Sequence, residues 1–299
     1  MREPAVIRML PDGRRLHLHD GPIDLIVDAD GGHENVAVAY EAAAARFVSI
    51  LDELCSELIL LRTQLTENSQ RPRGTVARRM FDAVQPYARH HFITPMAAVA
   101  GSVAEAVLEA MLAGAPLDRA YVNNGGDIAL HLSARQNYTI GIVELPDRPS
   151  LFGSCEVSAG DPVRGIATSG WRGRSFSLGI ADAVTVLAQT ASAADAGATV
   201  IANAVDLPGH PAIMRTPACE IAPDSDLGNL LVTRDVGPLS ASEIESALDS
   251  GALCAESLCK RGLIHSAALC LERNTRIVFC SAESLFPGCC PKESSACLR

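Results

Sequence analysis

The spacing of apolar and polar positions changes along this chain, and each change marks an element. At the start, Ala5 to Met9, Arg15 to His19 and Ile23 to Val27 alternate in short runs separated by Pro-Asp-Gly at 11 to 13 and Asp-Gly-Pro at 20 to 22. This pattern predicts strands in hairpins. Tyr40, Ala44, Phe47, Leu51, Leu54, Leu58, Leu61 and Leu65 then recur at steps of four and three, which predicts one long helix with a single apolar stripe. Thr94 as N-cap with Pro95 at the first helical position opens a helix rich in small residues. Six short runs follow: Ala120 to Asn123, Ile128 to Leu132, Tyr138 to Val143, Gly153 to Val157, Gly165 to Thr168 and Ala183 to Ala188. Their connections are too short for crossover helices, so the expected fold class is α+β, a mostly antiparallel sheet with packed helices.

The segment Ala191 to Val205 (ASAADAGATVIANAV) reads as a helix that is apolar nearly all round. Asp195, Thr199 and Asn203 fall at i, i+4 and i+8, one thin polar stripe on one face. A buried carboxylate needs a cation, hydrogen-bond donors or water. Two readings follow from the spacing: Asp195 and Thr199 satisfy backbone groups of a neighbouring element, or they hold a hard divalent ion such as Mg²⁺. Beyond this helix a Pro-rich loop is expected from Asp206 to Gly228. A Ser240/Glu243 capping box then starts a helix over Ala241 to Asp249, and Ile264 to Leu271 forms a last strand. No internal repeat is visible, and one domain over residues 1–278 is the simplest organisation.

Composition narrows the partners. The net charge of −10, from 35 acidic and 25 basic residues, argues against nucleic acid and anionic membrane surfaces and favours a small-molecule ligand. The N-terminus has no secretory pattern, and the most apolar helix, Pro95 to Leu112, is interrupted by Glu105 and Glu109, so a cytoplasmic protein is expected. Arg71, Arg73, Arg78 and Arg79 form a basic connection, read as a solvated face or an anion site. Most of the ten cysteines lie from Cys254 onward without metal-ligand spacing, so free thiols are expected, and residues 279–299 stand apart as a Cys-rich tail. Small residues on two helices are compatible with a homodimer.

Three turns combine glycine with short polar side chains. Asn123, Asn124, Gly125, Gly126 and Asp127 join two strands, either as an ordinary Asn-Gly hairpin turn or as a place where a ligand meets the backbone. Thr168, Ser169 and Gly170 precede Trp171-Arg172-Gly173-Arg174-Ser175, which reads as a mobile surface loop or as an anion pocket of N–H groups and guanidinium forks. Asp182 precedes an apolar strand that leads to Asp195, so those two carboxylates are expected to converge. The histidines have no ligand or triad spacing.

In this order, VNNGGDI, ATSG, GIADAVTV and ADAGAT resemble the ApbE family, the FAD-dependent protein FMN transferases. They are still more similar to an uncharacterised ApbE-related bacterial family that also carries ITPMAAVAG. The resemblance implies an ApbE-like (T-fold-like) architecture, Mg²⁺ on Asp195 and Thr199, and a pocket for FAD lined by Asn123 to Asp127 and Thr168 to Gly170. Two departures stand out. The transferase pattern H-x-I-D-P-x-T-G after the TSG turn is replaced by WRGRSFSLGIA, with no histidine, and Ala100-Gly101 lacks the lysine found before that glycine. Three functions are therefore weighed. The first is FMN transfer with Mg²⁺. The second is a small-molecule enzyme with Asp182 as general base and Thr168 or Ser169 as nucleophile or oxyanion donor. The third is a non-catalytic flavin or metabolite binder.

Overall fold

The computed structural model describes residues 4–143 and 151–280. β1 (Val6–Met9), β2 (Leu16–Asp20) and β3 (Ile23–Asp30) form the expected hairpins, with Leu16, Leu18, Leu25 and Val27 turned inward. α1 (His33–Ser56) buries Tyr40, Phe47, Ile50 and Leu54. The stripe continues past it, but the helix does not: it breaks at Glu57, and a single turn, α2 (Leu58–Leu61), carries Leu61 inward. The break has a use, because the Glu57 carboxylate accepts the Arg73 and Gly74 N–H groups where α3 (Thr75–Val84) begins. A 3₁₀ turn at Pro95–Ala98, capped by Thr94, leads into α4 (Val99–Gly114).

β4 (Arg119–Asn124), β5 (Asp127–Leu132), β6 (Asn137–Val143), β7 (Leu151–Ser158), β8 (Gly165–Ser169) and β9 (Ala183–Ala188) appear where alternation placed them. α5 (Ala191–Ala204) is the striped helix. The expected loop, Asp206 to Gly228, holds β10 (Ile213–Pro217) and a single turn α6 (Ala218–Ile221), and β11 (Leu231–Val236) just beyond it pairs with β10 in a short hairpin whose half-exposed residues give no clear alternation. α7 (Ala241–Lys260) has the capping box but runs on well past Asp249. β12 (Ser266–Leu271) and β13 (Asn274–Phe279) close the described chain.

Nine strands form one antiparallel sheet in the order β1-β2-β3-β4-β5-β8-β9-β12-β13, while β6–β7 and β10–β11 are separate two-stranded ribbons. Hairpin, two helices, hairpin occurs twice: β2–β3, α1, α4, β4–β5, then β8–β9, α5, α7, β12–β13. The repeat is topological, and insertions of unequal length between its helices hide it in the sequence. The helices cover one face, and the β6–β7 ribbon packs with Leu130, Leu132, Ile166 and Leu187 on the other.

Pro95–Gly114 is apolar and long enough to span a membrane on composition alone, yet half of it is buried within the fold. Its small residues serve close packing against α5. A Cβ on Gly101 would lie 2.3 Å from the Ala191 carbonyl oxygen and 2.7 Å from the Ser192 nitrogen, so the two backbones touch. Of the basic connection, Arg79 pairs with Glu105 and Glu109 on α4 and Arg71 with Asp82, so these two arginines serve ion pairs. The expectation of free thiols fails for Cys259 and Cys280, which are joined by a disulfide that ties α7 to the end of β13. The tail assigned to residues 279–299 therefore starts later, and its part beyond Cys280 lies outside the described residues.

Gly101→Ala forces α4 away from α5 and should lower unfolding free energy by about 2 kcal/mol or more. Gly160→Ala, where an added Cβ meets nothing within 4 Å, should change it little. Urea denaturation of both variants checks this, and equal midpoints contradict it.

Candidate functional site

The first wall of the site is the β4–β5 turn. Gly125 (φ +65°) and Gly126 (φ +116°) both lie at positive φ between the paired residues Asn124 and Asp127. That backbone favours glycine, and the Asn123 side chain closes it by accepting the Gly126 N–H at 2.8 Å. Strand alternation then decides where the flanking side chains go. Asn124 follows Val122 onto the helix face and donates to the Ala100 carbonyl at 3.2 Å, fastening the turn to the start of α4. Asp127 precedes Ala129 on the same face, and its Oδ1 accepts the Thr168 N–H at 3.2 Å.

Asp195 meets this wall from α5. Its Oδ2 accepts the Gly101 N–H at 3.0 Å, and the Ala100 N–H also stabilises it, so the carboxylate caps the N-terminus of α4. Glu105 returns the favour by accepting the Ser192 N–H at 2.6 Å at the start of α5. Desolvation raises the Asp195 pKa well above the usual carboxylate range, and the neighbouring Asp127 charge raises it further against the two N–H groups. Desolvation likewise lifts Asp127 to about 7, opposed by the Thr168 N–H and the Arg174 charge. Both side chains keep part of their surface open to solvent, as do Ser169 and Thr199. Thr199 lies one turn beyond Asp195 on the same stripe. Asn203, the third member, accepts the Leu178 N–H at 2.9 Å and so pins the segment after the TSG turn.

Not every expected site residue converges here. Thr168 pairs its hydroxyl with Thr185 at 2.9 Å, and both share a face with Ile166 and Leu187, the face away from the helices and from Asp195. Ser169 falls on the helix side. Asp182 does not approach Asp195 as anticipated: one oxygen takes Arg172 Nε at 2.6 Å and the other the Glu272 N–H at 2.7 Å, holding the β12–β13 turn. Gly170 makes room for this strand start, since a Cβ there would lie 2.5 Å from the Asp182 carbonyl oxygen. The acid that meets Asp195 is Asp127. Glu105, noted in the sequence only as an interruption of an apolar helix, and Ala100–Gly101, noted only for the missing lysine, also belong to the site. Glu105 gives the same signal as Asp195, an acid on an apolar helix that must find donors.

The TSG-to-Asp182 segment completes the rim. The Trp171 N–H donates to the Ala181 carbonyl, and Arg172 stacks on the Trp171 ring at 4.5 Å. Arg174 lies across the glycine turn, its Cζ 3.2 Å from where a Gly125 Cβ would stand. Among the described residues no group of three or more His, Cys, Asp or Glu is arranged around a common metal position. Asp127 and Asp195 supply two acidic side chains.

Fold and site together define an α+β protein with paired carboxylates at a glycine turn. The family model described as AbpE bacteria matches residues 7–277, and the chain belongs to that family, in keeping with the ApbE-like resemblance of its motifs. UPF0280 proteins of Methanopyrus kandleri (40% identical over 129 residues, 43% of this chain and 48% of the relative) and Archaeoglobus fulgidus (40% over 133 residues, 44% and 51%) are similar to it. The chain spans about half the length of the curated relatives it matches. The apo crystal structure of the Pseudomonas stutzeri flavinyl transferase ApbE is similar at a TM-score of 0.42 and 12% identity, over 97% of each chain.

The raised Asp127 sets a pH dependence. Between about 4 and 7 the unfolded chain releases this proton while the folded one retains it, so folding stability falls as pH rises through that window. The slope from one such group is at most about 1.4 kcal/mol per pH unit. Asp127→Asn should flatten it in urea melts at pH 4.5 to 7.5 with chelator present, and an unchanged slope contradicts the assignment.

Proposed function

We propose that this chain is an ApbE-like enzyme that binds a hard divalent cation, Mg²⁺, at Asp195 and Asp127 and holds a small-molecule ligand over the glycine turn. The observation that carries this reading is the convergence of two desolvated carboxylates, from β5 and α5, in one partly open space. Desolvation raises the cost of ionising both, the Asp127 charge adds to that cost at Asp195, and a cation between them would offset it. Hard oxygen donors fit Mg²⁺, which accepts few protein ligands. Thr199, on the same stripe as Asp195, adds a hydroxyl. When bound, the ion supplies charge neutralisation to an anionic group of the ligand.

The protein's own residues do the rest. Asp195 holds α4 in place through the Gly101 N–H, Asn124 fastens the glycine turn to α4, and Asn203 pins the rim. Asp127 holds its proton up to about neutrality only while the ion is absent, and Ser169 lies on the same side of the sheet. Asp182 and Thr168 act in positioning, because their polar atoms are engaged elsewhere. FAD is the ligand class that the ApbE resemblance suggests, and the missing histidine speaks against FMN transfer by the transferase pattern.

Calorimetric titration with Mn²⁺ or Mg²⁺ should show one binding event that Asp195→Asn and Asp127→Asn each weaken at least tenfold and Thr199→Ala weakens less. Equal affinity in both carboxamide variants rejects the reading. FAD fluorescence quenched by the protein, and quenched more tightly with Mg²⁺, supports a flavin ligand. Unchanged fluorescence excludes one.

A further inference from the structure

We infer that Arg174 is the residue that anchors a phosphoryl group of the ligand, and so determines which ligands this cleft accepts. This rests on the reading above that the space over Asp127 and Asp195 is the ligand site. The anchoring residue itself lies in WRGRSFSLGIA, the stretch in which this chain departs from the transferase pattern.

The segment is fixed at both ends and open in the middle. At its start, Trp171 bonds to Ala181 and Arg172 is locked between the indole face and the Asp182 carboxylate. At its end, Leu178 is held by Asn203 and by Arg215, and the Ser177 carbonyl accepts the Thr233 N–H. Gly173, Arg174 and Ser175 between these anchors are exposed. Arg174 alone turns back across the glycine turn.

Its environment differs from that of the other arginines near the site. Arg172 and Arg215 each bond to a carboxylate, Asp182 and Asp206. Arg174 finds no acceptor for its guanidinium N–H groups among the described residues. Its positive charge still bears on Asp127. The position depends on glycine: the Arg174 Cζ, Nη2 and Nη1 lie 3.2, 3.3 and 3.4 Å from a Cβ built on Gly125, so a side chain there displaces the guanidinium. At Gly126 an added Cβ meets nothing within 4 Å, so open space adjoins the turn. A planar fork with unused donors beside open space, next to the glycine turn and Asp127, matches an oxyanion bound through two parallel hydrogen bonds. A phosphoryl group presents three oxygens, two for the fork and one toward the cleft. A carboxylate spends both of its oxygens on the fork.

The experiment titrates inorganic pyrophosphate into the full chain in EDTA, and separately Mn²⁺ into the same chain without it. Wild-type protein should bind pyrophosphate, Arg174→Ala should weaken this at least tenfold, and Arg174→Lys should keep part of it. Arg78→Ala, an exposed arginine away from the site, should leave it unchanged. Mn²⁺ binding should persist in Arg174→Ala, because Arg174 offers the ion no ligand. Three results overturn the inference: no pyrophosphate binding by wild type, equal binding by Arg174→Ala, or acetate bound as tightly as pyrophosphate. Loss of Mn²⁺ binding in wild type instead overturns the metal reading, and the two failures are told apart by the two titrations.

Discussion

Carboxylates carried by one helix and spent on the N-terminus of the next hold this molecule's helical layer together. Asp195 of α5 caps α4, Glu105 of α4 caps α5, and Glu53 and Glu57 of α1 cap the start of α3. Each exchange joins a carboxylate to N–H groups that have no partner within their own helix. The reciprocal pair needs the two backbones in contact, and Gly101 against Ala191 supplies that contact. Once α4 is fixed, Asn124 fixes the glycine turn to it, and the turn brings Asp127 to Asp195.

The same exchange leaves the site electrostatically poised. Asp195 is stabilised by the N–H groups of Ala100 and Gly101, but it faces the charges of Asp127 and Glu105. One of its oxygens is committed to α4. The helix terminus therefore secures the carboxylate's position without neutralising the pair, and the Asp127 charge still raises Asp195. The two readings that the stripe left open are in this way not exclusive. Asp195 satisfies backbone donors, and the cation proposed above would answer a different need, the repulsion with Asp127.

Much of the fold was legible because alternation and helical spacing report burial directly. Leu16 and Leu18 on β2, the α1 stripe and the Ser240 capping box all appear where the pattern put them. What the pattern could not reveal depends on partners distant in sequence. Glu57 breaks α1 because the start of α3, seventeen residues on at Gly74, needs its oxygens. Asp182 looked like a site acid because it precedes an apolar strand, but its partners, Arg172 and Glu272, come from a loop and from a hairpin turn 90 residues later. The sequence places Asp127 in a ligand-lining turn, but only the folded chain shows which acid it faces. The Cys259–Cys280 bond is of the same kind, joining a helix end to a strand end that no spacing rule connects.

The duplicated topology explains why the paired carboxylates lie where they do. β5 ends the first hairpin–helix–helix–hairpin unit and β8 begins the second, and their ladder has only two residue pairs, Ile128 with Ile166 and Ala129 with Gly165. Beyond Ile166 the Thr168 N–H has no strand carbonyl to meet on β5, and the Asp127 carboxylate takes it instead. A side chain thus substitutes for backbone pairing at the seam. By alternation the side chain itself lies on the helix face, with Ala129. Had the ladder run its full length, the Thr168 N–H would face a backbone carbonyl, and nothing would hold Asp127 against α5. The short seam between the two units is therefore the structural condition for paired carboxylates here, and the chemistry proposed for the site belongs to the junction of the repeats.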